Sequence, residues 1–467
     1  MLSKEKESVG EQEGKKKVTE VKTFPIPFAL EEIKENITLN TKTKSQLPKE
    51  QIINQAFKFH SQGNISKATK YYQICIKQGF NNPQVFSNFG ILLKEIDQLK
   101  EAEKMIKQAI KLKPDYAIAY NNLGNILIDL GRLKEAEIYT KKAIDLKPDY
   151  ANAYNTLGNI LKELDNLKDA EICFSKAISL EPDHESAIIN RGQLYFDKGE
   201  FKKALKDSDL CNTKQSRAFS LEILYSLGSI NEIYNRIEKT YAFDDKNLRL
   251  AAFSSFISER ENKYTHHNFC PKPLKFLHFN NLKNQLNNYE EFIKGLLKEL
   301  SEIKTVWEPP KKTTHNGFQT PSYINLFSES SIKISKLKAI ICNELDSYYL
   351  KFKRESCSYI KKWPSHKKLL GWHVILKKQG YQEAHIHPAG WLSGVIYLKV
   401  VPSLGKDEGG IEFSLNGPNY SNINSPQLIH QPEVGDMVFF PSSLHHRTIP
   451  FSTDTDRIVV AFDLMPN

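Results

Sequence analysis

Between residues 52 and 205, apolar positions recur at the three- and four-residue spacing that is typical of amphipathic helices. The pattern also repeats every 34 residues. Small residues occupy equivalent places in successive copies: Gly90, Gly124, Gly158 and Gly192, and Ala102, Ala136, Ala170 and Ala204. Pro114, Pro148 and Pro182 share the spacing and end the second helix of a copy, because proline lacks the N–H that would continue it. Each copy therefore predicts two helices joined by a short turn.

The period, the small residues and the ending "KPDYA" resemble the tetratricopeptide repeat. The resemblance implies a solenoid over residues 51–205, because a single unit cannot bury its own apolar face. It also implies that the first helix of each repeat lines a concave groove. These helices carry the candidate peptide-binding residues Asn88, Asn122, Asn125 and Asn159. An asparagine amide both donates and accepts, which suits an extended peptide backbone. The alternative is that these side chains are exposed and bind no partner.

Beyond Leu369 the pattern changes to short runs rich in β-branched and aromatic residues. Seven strands are predicted: "GWHVILKK", "WLSGVIYLKVV", "GIEFSL", "QLIHQPEV", "DMVFFP", "HRTIPF" and "RIVVAFDL". Turn and loop sequences such as "KQGYQ", "PSLGKDEGG" and "PEVGD" separate them. So many short strands indicate a small sandwich or jelly roll.

The remaining segments complete a multidomain α + β chain. Residues 1–50 are polar and charged, which predicts disorder. Residues 206–270 keep a helical pattern without the period and predict an irregular helical cap on the solenoid. Residues 271–467 form the last predicted domain, in which helices precede the strands.

Composition narrows the class of protein. The chain has 467 residues, of which 40% are hydrophobic and 26% charged, and it lacks an apolar run long enough to cross a membrane. The net charge of +10 comes from lysines that alternate with glutamates along helices, which indicates solvated helix faces and no nucleic-acid partner. The six cysteines form no CxxC pair, and the N-terminus has no apolar signal segment. We therefore expect a reduced, cytoplasmic protein.

Candidate chemistry is concentrated near the C-terminus. His385 and His387 lie two residues apart in an extended segment, so their side chains can point to the same side. A later strand returning alongside would bring His446 to the same point. Three converging neutral imidazoles suit iron, zinc, copper or nickel. The alternative is that each histidine is an ordinary polar residue of a β-rich domain.

Four short blocks in this region resemble the 2-oxoglutarate and Fe(II)-dependent oxygenases: "HIHP" at 385–388, "SGVIYL" at 393–398, "FPSSLHH" at 440–446, and Arg457. The resemblance implies a double-stranded β-helix that binds Fe(II), 2-oxoglutarate and O₂. It implies that His385 and His446 are iron ligands, His446 being preferred to His445 by its spacing. It also implies that Arg457 pairs with the far carboxylate of 2-oxoglutarate, against which Tyr397 could lie. An arginine fork fits a carboxylate through two parallel hydrogen bonds.

One position departs from that family. Most members have Asp or Glu two residues after the first histidine, where this chain has His387. Either His387 is a third ligand, as in some cupin dioxygenases, or two histidines and water hold the metal. The favoured function is therefore a hydroxylase-type oxygenase whose repeats bind a protein or peptide. The alternatives are a three-histidine dioxygenase that does not use 2-oxoglutarate, and a non-catalytic interaction scaffold with a degenerate β-helix domain.

Overall fold

The computed structural model describes residues 48–309, 312–321, 323–328, 331–402 and 405–466. They belong to two compact units that divide between Gln78 and Gly79, and each unit is described by itself. The first contributes two helices, α1 (Lys49–Ser61) and α2 (Ile65–Lys77). Residues 1–47 of the segment predicted to be disordered lie outside the described residues.

The second unit begins with four helical hairpins that follow the 34-residue period. Their helices are α3 (Pro83–Glu95), α4 (Leu99–Leu112), α5 (Ala117–Asp129), α6 (Leu133–Leu146), α7 (Ala151–Glu163), α8 (Leu167–Leu180), α9 (Glu185–Asp197) and α10 (Phe201–Leu210). The repeated alanines are fully buried where the two helices of a hairpin cross. The helix pairs and their solenoid arrangement, predicted from the sequence, are confirmed.

The repeated glycines differ in how tightly the partner helix approaches them. A Cβ atom added at Gly158 would lie 2.5 Å from the ring of Phe174, whereas one at Gly192 would lie 3.4 Å from Asp207, an ordinary contact. We therefore expect Gly158→Ala to lower the free energy of unfolding by about 1–3 kcal/mol, because an overpacked core must shift. Gly192→Ala is the matched control and should be neutral or slightly stabilising, since alanine favours the helix. Thermal unfolding measures both, and equal effects of the two substitutions would contradict the packing account.

Three helices follow the repeats: α11 (Lys214–Ser226), α12 (Ile230–Thr240) and α13 (Leu248–Arg260). The rest of the unit is built from β1 (His278–Asn281), α14 (Tyr289–Ser301), β2 (Val306–Trp307), β3 (Thr314–Gln319), α15 (Ile332–Phe352), α16 (Ser358–Lys361), β4 (Leu369–His385), β5 (Leu392–Lys399), β6 (Ile411–Ser414), β7 (Gln427–His430), β8 (Asp436–Pro441), β9 (His445–Thr448) and β10 (Arg457–Leu464). All seven predicted strands are present. The sequence patterns did not indicate β1, β2 or β3.

The strands form one antiparallel sheet in the order β1-β8-β5-β10-β4-β9-β6-β7, and β3 pairs with β4 off this path. Strand β4 joins two parts of the sheet, because its first half pairs with β10 and its last residues pair with β9. The "KQGYQ" segment, predicted as a turn, instead lies inside β4, so this prediction is wrong. Gln379 has a positive φ of 60° there, and a bulge changes the direction of the strand without ending it. A sheet that turns such a corner is consistent with the expected jelly roll.

The two faces of this curled sheet have different roles. On the outer face, side chains such as Phe439 and Phe462 pack with Leu345 and Tyr348 of α15. The inner face is identified by the pairing of β10, where Asp463 lies opposite Ser393 and Val459 lies opposite Tyr397. Arg457, Val459, Ala461 and Asp463 alternate with outer-face residues and therefore share the inner face. Polar side chains on this inner face are the ones available to a site.

Candidate metal centre

Two histidines are placed opposite each other by strand pairing. His385 is the last residue of β4, and its partner across the antiparallel pair is His446 of β9. His387 follows two residues later, where its backbone N–H donates to the carbonyl of Ser442 at 2.9 Å. This bond fixes the chain after β4 against the segment that leads into β9. The local fold therefore holds all three histidines next to one another.

The three imidazole rings converge. Each can offer one nitrogen such that the three atoms lie within 4.8 Å of one another. The centres of the His385 and His446 rings are 4.3 Å apart. The Nε2 atoms of His385 and His387 are separated by 3.2 Å. His446 is buried, while His385 and His387 are half-buried, so the cluster is accessible from one side.

Hydrogen bonds fix which nitrogen of each ring faces the others. The Nδ1 atom of His385 lies 2.6 Å from the carbonyl of Glu383, and that of His446 lies 3.1 Å from the carbonyl of Leu444. The Nδ1 atom of His387 lies 2.6 Å from Oδ1 of Asp463. Since these partners are acceptors, Nδ1 carries the proton in each ring, and the Nε2 lone pairs converge. Facing lone pairs repel unless a proton or a metal ion lies between them, and this arrangement is typical of metal-binding histidines.

His385 and His446 are also poor proton acceptors. Burial, with a smaller contribution from the neighbouring His387, lowers the pKa of His385 to about 4. Burial likewise holds the pKa of His446 well below its ordinary value, with His385 and His387 contributing. Neutral imidazole is the form that binds a metal, so no proton has to leave these two rings at neutral pH.

Asp463 is the residue of this site that the sequence analysis did not identify as a partner. It lies 76 residues after His387 and contacts it from β10, and its exposed fraction is 7%. Its Oδ1 also accepts from the hydroxyl of Ser393 at 2.6 Å. One available signal was its even spacing from Arg457 along β10, which places both side chains on the same face. The pairing of Asp463 with His387 was not predictable from that spacing.

Arg457 occupies the other end of the inner face of β10. Its exposed fraction is only 2%, and its Nε–H donates to the carbonyl of Gly409 at 3.1 Å. Within the described part of the chain, its guanidinium makes no ion pair with Asp or Glu. Burial lowers the pKa of Arg457, which is the electrostatic cost of an uncompensated buried charge. Asp436 pairs with His430 and Asp463 pairs with His387, so neither carboxylate pairs with Arg457.

Tyr397 lies beside Arg457, with the guanidinium carbon 4.9 Å from the centre of its ring. Its hydroxyl is buried and has no hydrogen-bond partner among the described residues. Burial raises the pKa of Tyr397 to about 12, so the hydroxyl stays protonated and able to donate. The interior therefore contains the guanidinium cation of Arg457 and the hydroxyl donor of Tyr397, and neither pairs with an acidic side chain of the described residues.

The other histidines near the sequence blocks lie outside this cluster. His445 faces away from His446, with its ring 5.8 Å from that of Tyr420. His373 is fully buried, with Nδ1 2.8 Å from the hydroxyl of Thr320. His430 pairs with Asp436 at 3.0 Å. Of the two adjacent histidines, His446 is thus the one that the fold directs to His385.

The candidate peptide-binding asparagines lie on the first helices of successive repeats. The amide of Asn122 on α5 donates to Ser87 of α3 at 3.1 Å. The amide of Asn125 donates to Thr156 of α7 at 3.2 Å. The side chains of Asn88 and Asn159 make no hydrogen bond within the described ranges. Two of the four predicted residues therefore stabilise the stacking of the repeats, and the other two keep their full hydrogen-bonding capacity.

Comparison with known families gives separate matches for the helical repeats and for the C-terminal sheet. Residues 83–116 and 115–183 match families described as tetratricopeptide repeats. Residues 371–463, which contain the histidine cluster and Asp463, match the family described as "Putative 2OG-Fe(II) oxygenase". The chain therefore joins segments that match tetratricopeptide repeats to a C-terminal segment that matches this oxygenase family. Both resemblances noted in the sequence are thereby confirmed.

Solved structures match part of the chain. The structure of MamA is 25% identical and covers 33% of this chain and 91% of its own, with a TM-score of 0.30. PilF from Pseudomonas aeruginosa is 15% identical and covers 44% and 97%, with a TM-score of 0.38. PilW, a type IV pilus biogenesis factor, is 18% identical and covers 44% and 96%, with a TM-score of 0.40. No curated protein sequence matches the chain. Among the described helices, none has the length and apolar character that crossing a bilayer requires.

Proposed function

We propose that the chain is an Fe(II)- and 2-oxoglutarate-dependent oxygenase of the hydroxylase type, whose repeats bind a protein or peptide substrate. One observation carries the proposal: the inner face of one curled sheet holds both a three-imidazole cluster and a buried arginine that has no acidic partner among the described residues. The first fits a divalent metal, and the second fits a carboxylate. Either group alone has a structural explanation, but the pair matches the needs of a metal and a dicarboxylic co-substrate.

The residues present fit the metal. His385, His387 and His446 would hold it through Nε2, because their Nδ1 atoms are already bonded to acceptors. Three protein ligands leave further coordination positions for small molecules. Bound Fe(II) supplies the redox chemistry that couples O₂ to decarboxylation of 2-oxoglutarate and oxidation of a substrate C–H bond.

The residues present also fit 2-oxoglutarate. Arg457 would bind its far carboxylate, and the unpartnered hydroxyl of Tyr397 would donate to the same group. An arriving carboxylate would compensate the buried charge that the fold leaves unpaired. Apolar side chains also flank the histidine cluster, where the centres of the Phe440 and Phe413 rings lie 4.5 and 6.4 Å from that of His446.

The helical part of the unit approaches the oxygenase domain closely enough to deliver a substrate. Tyr225 of α11 donates to the carbonyl of Ser421, in the loop after β6, and Asn419 of that loop donates to Glu222. In the turn between α3 and α4, burial raises the pKa of Asp97, and the nearby ammonium of Lys304, which follows α14, opposes the rise. A peptide bound along the first helices is therefore held by a frame that is attached to the domain with the histidines.

A second candidate function is a three-histidine dioxygenase that does not need 2-oxoglutarate. The proximity of His387 Nε2 to His385 Nε2, at 3.2 Å, favours a third imidazole ligand. The unpaired Arg457 argues against this alternative, because a structural arginine would be expected to have an acidic partner. The scaffold alternative predicts no metal binding.

The proposed activity is tested by incubating the full chain with Fe(II), O₂ and 2-oxoglutarate and measuring succinate. Many such sites turn over their co-substrate slowly without substrate, so we expect succinate above the level of an Fe(II)-free sample. Absence of succinate, together with binding of Fe(II), would favour the three-histidine alternative. Absence of Fe(II) binding would favour the scaffold.

Peptide binding by the repeats is tested with the two asparagines that have no structural bond. We expect Asn88→Ala combined with Asn159→Ala to weaken binding of a peptide selected from a random library by about 30-fold, since each of the two lost hydrogen bonds contributes about 1 kcal/mol. The melting temperature should not change. The control is Lys142→Ala with Lys176→Ala, two exposed lysines on the second helices α6 and α8. Equal affinities of both double variants, measured by fluorescence anisotropy, would show that the groove is not used.

A further inference from the structure

The carboxylate nearest to the histidine cluster is not where the oxygenase pattern places one. The position two residues after His385 holds the imidazole of His387. Asp463 contacts that ring at Nδ1, the nitrogen that does not face the other two histidines. The contact joins Oδ1 of Asp463 to Nδ1 of His387 at 2.6 Å, a short, charge-assisted geometry. The negative charge therefore lies on the far side of the ring from the converging Nε2 atoms.

Three further groups hold Asp463 in this position. Ser393 donates to Oδ1 at 2.6 Å, and since its single proton is then committed, Ser442 donates to Ser393 at 2.8 Å. Both serines are completely buried, with an exposed fraction of 0% each. The turn at Gly390 packs closely against Ser442 and Asp463, because a Cβ atom there would lie 2.7 Å from Ser442 Oγ and 3.0 Å from Asp463 Cγ. The carboxylate is thus fixed relative to His387.

Asp463 has no competing ion pair in the described part of the chain. Lys312 is near enough for its ammonium to interact electrostatically with the carboxylate, but it lies beyond ion-pair distance. Arg457, which shares the face of β10, bonds to Gly409 instead. The carboxylate of Asp463 therefore interacts at hydrogen-bond distance with one imidazole, that of His387.

We propose that Asp463 is a positioning residue that acts on the metal through His387 and replaces the carboxylate missing from the motif. Three neutral imidazoles leave both positive charges of a divalent ion uncompensated, and Asp463 returns one negative charge through the hydrogen-bonded ring. The hydrogen bond also fixes the ring orientation and makes Nε2 a stronger donor. This inference rests on the proposed function.

The test is the anaerobic dissociation constant of Fe(II) for the full chain, measured by calorimetry. We expect Asp463→Asn, which keeps the shape and removes the charge, to weaken Fe(II) binding about 10- to 100-fold. The midpoint potential of the bound iron should rise, because lost negative charge disfavours Fe(III). Asp436→Asn is the matched control, since Asp436 also bonds to a histidine of the same sheet, His430, outside the cluster. That variant should change neither quantity.

A double-mutant cycle separates this role from a general structural one. In a His387→Ala background, Asp463→Asn should have no further effect on Fe(II) affinity, because its route to the metal is absent. An equal loss in both backgrounds, or unchanged affinity of Asp463→Asn alone, would overturn the proposal while leaving the proposed function intact. If the parent chain itself bound no Fe(II), the proposed function would fail as well. Should Asp463→Asn not fold, Ser393→Ala replaces it, and an unchanged Fe(II) dissociation constant for that variant overturns the proposal.

Discussion

His446→Ala is expected to lose Fe(II) binding by more than about 100-fold, because removal of a direct ligand should exceed the effect of losing an outer partner. His446 is the buried member of the cluster, and its ring lies 4.3 Å from His385 and 5.0 Å from His387, centre to centre. No other histidine among the described residues points to this position, so no side chain can take over. The measurement is an anaerobic Fe(II) titration of the purified chain.

The adjacent residue provides a strict control. His445 differs from His446 by one position on β9, and its ring instead contacts Tyr420 outside the cluster. His445→Gln should therefore keep the Fe(II) affinity of the parent chain, whatever it does to stability. If both substitutions weakened Fe(II) binding equally, or if neither did, the assignment of the ligands would be wrong.

Arg457→Ala is expected to lose 2-oxoglutarate binding and to retain Fe(II). Removing one partner of a buried charge pair costs about 2–5 kcal/mol, which corresponds to at least about a 30-fold rise in the dissociation constant. The folded state should tolerate the change, because the guanidinium contacts the carbonyl of Gly409 and the side chain of Tyr397 and lacks an acidic partner among the described residues. Arg457→Met, which fills the same space, should even raise the free energy of unfolding in the absence of co-substrate.

Arg447 on β9, one strand beyond the partner strand β4, is the control for Arg457. It is exposed and pairs with Glu412 at 2.7 Å, so Arg447→Met should leave 2-oxoglutarate binding unchanged. Calorimetry with Fe(II)-loaded protein compares the three variants. If Arg457→Ala bound 2-oxoglutarate as tightly as the parent, the buried arginine would be structural and the three-histidine alternative would take precedence.

The sequence predicted those elements whose side chains repeat at a regular spacing. The 34-residue period identifies α3 to α10, since each copy must place its glycine and alanine against a partner helix. Strands β5, β8 and β10 were predictable because buried apolar residues run almost unbroken along them. By contrast, β3 has the sequence "THNGFQ", whose asparagine and glycine are typical of a turn, and it pairs with β4 only across a register shift.

Tertiary pairing explains what the sequence did not reveal about the site. His385 and His446 come together because of a strand register, which a spacing of 61 residues does not specify. The relation of Asp463 to His387 depends in addition on the turn at Gly390, which brings the ring back over β10. Asn122 and Asn125 illustrate the same limit in the repeats: their position was predictable, but their bonds to Ser87 and Thr156 required the packing of neighbouring helices.

The most direct test of the account is an anaerobic titration of the full chain with Fe(II), first alone and then with 2-oxoglutarate. An iron that binds 2-oxoglutarate through two oxygen atoms gives a metal-to-ligand charge-transfer band in the visible spectrum. We predict that this band appears only when both components are present, that it is absent in His446→Ala, and that Arg457→Ala requires far more 2-oxoglutarate to produce it. Binding of Fe(II) with no such band at saturating 2-oxoglutarate would contradict the account.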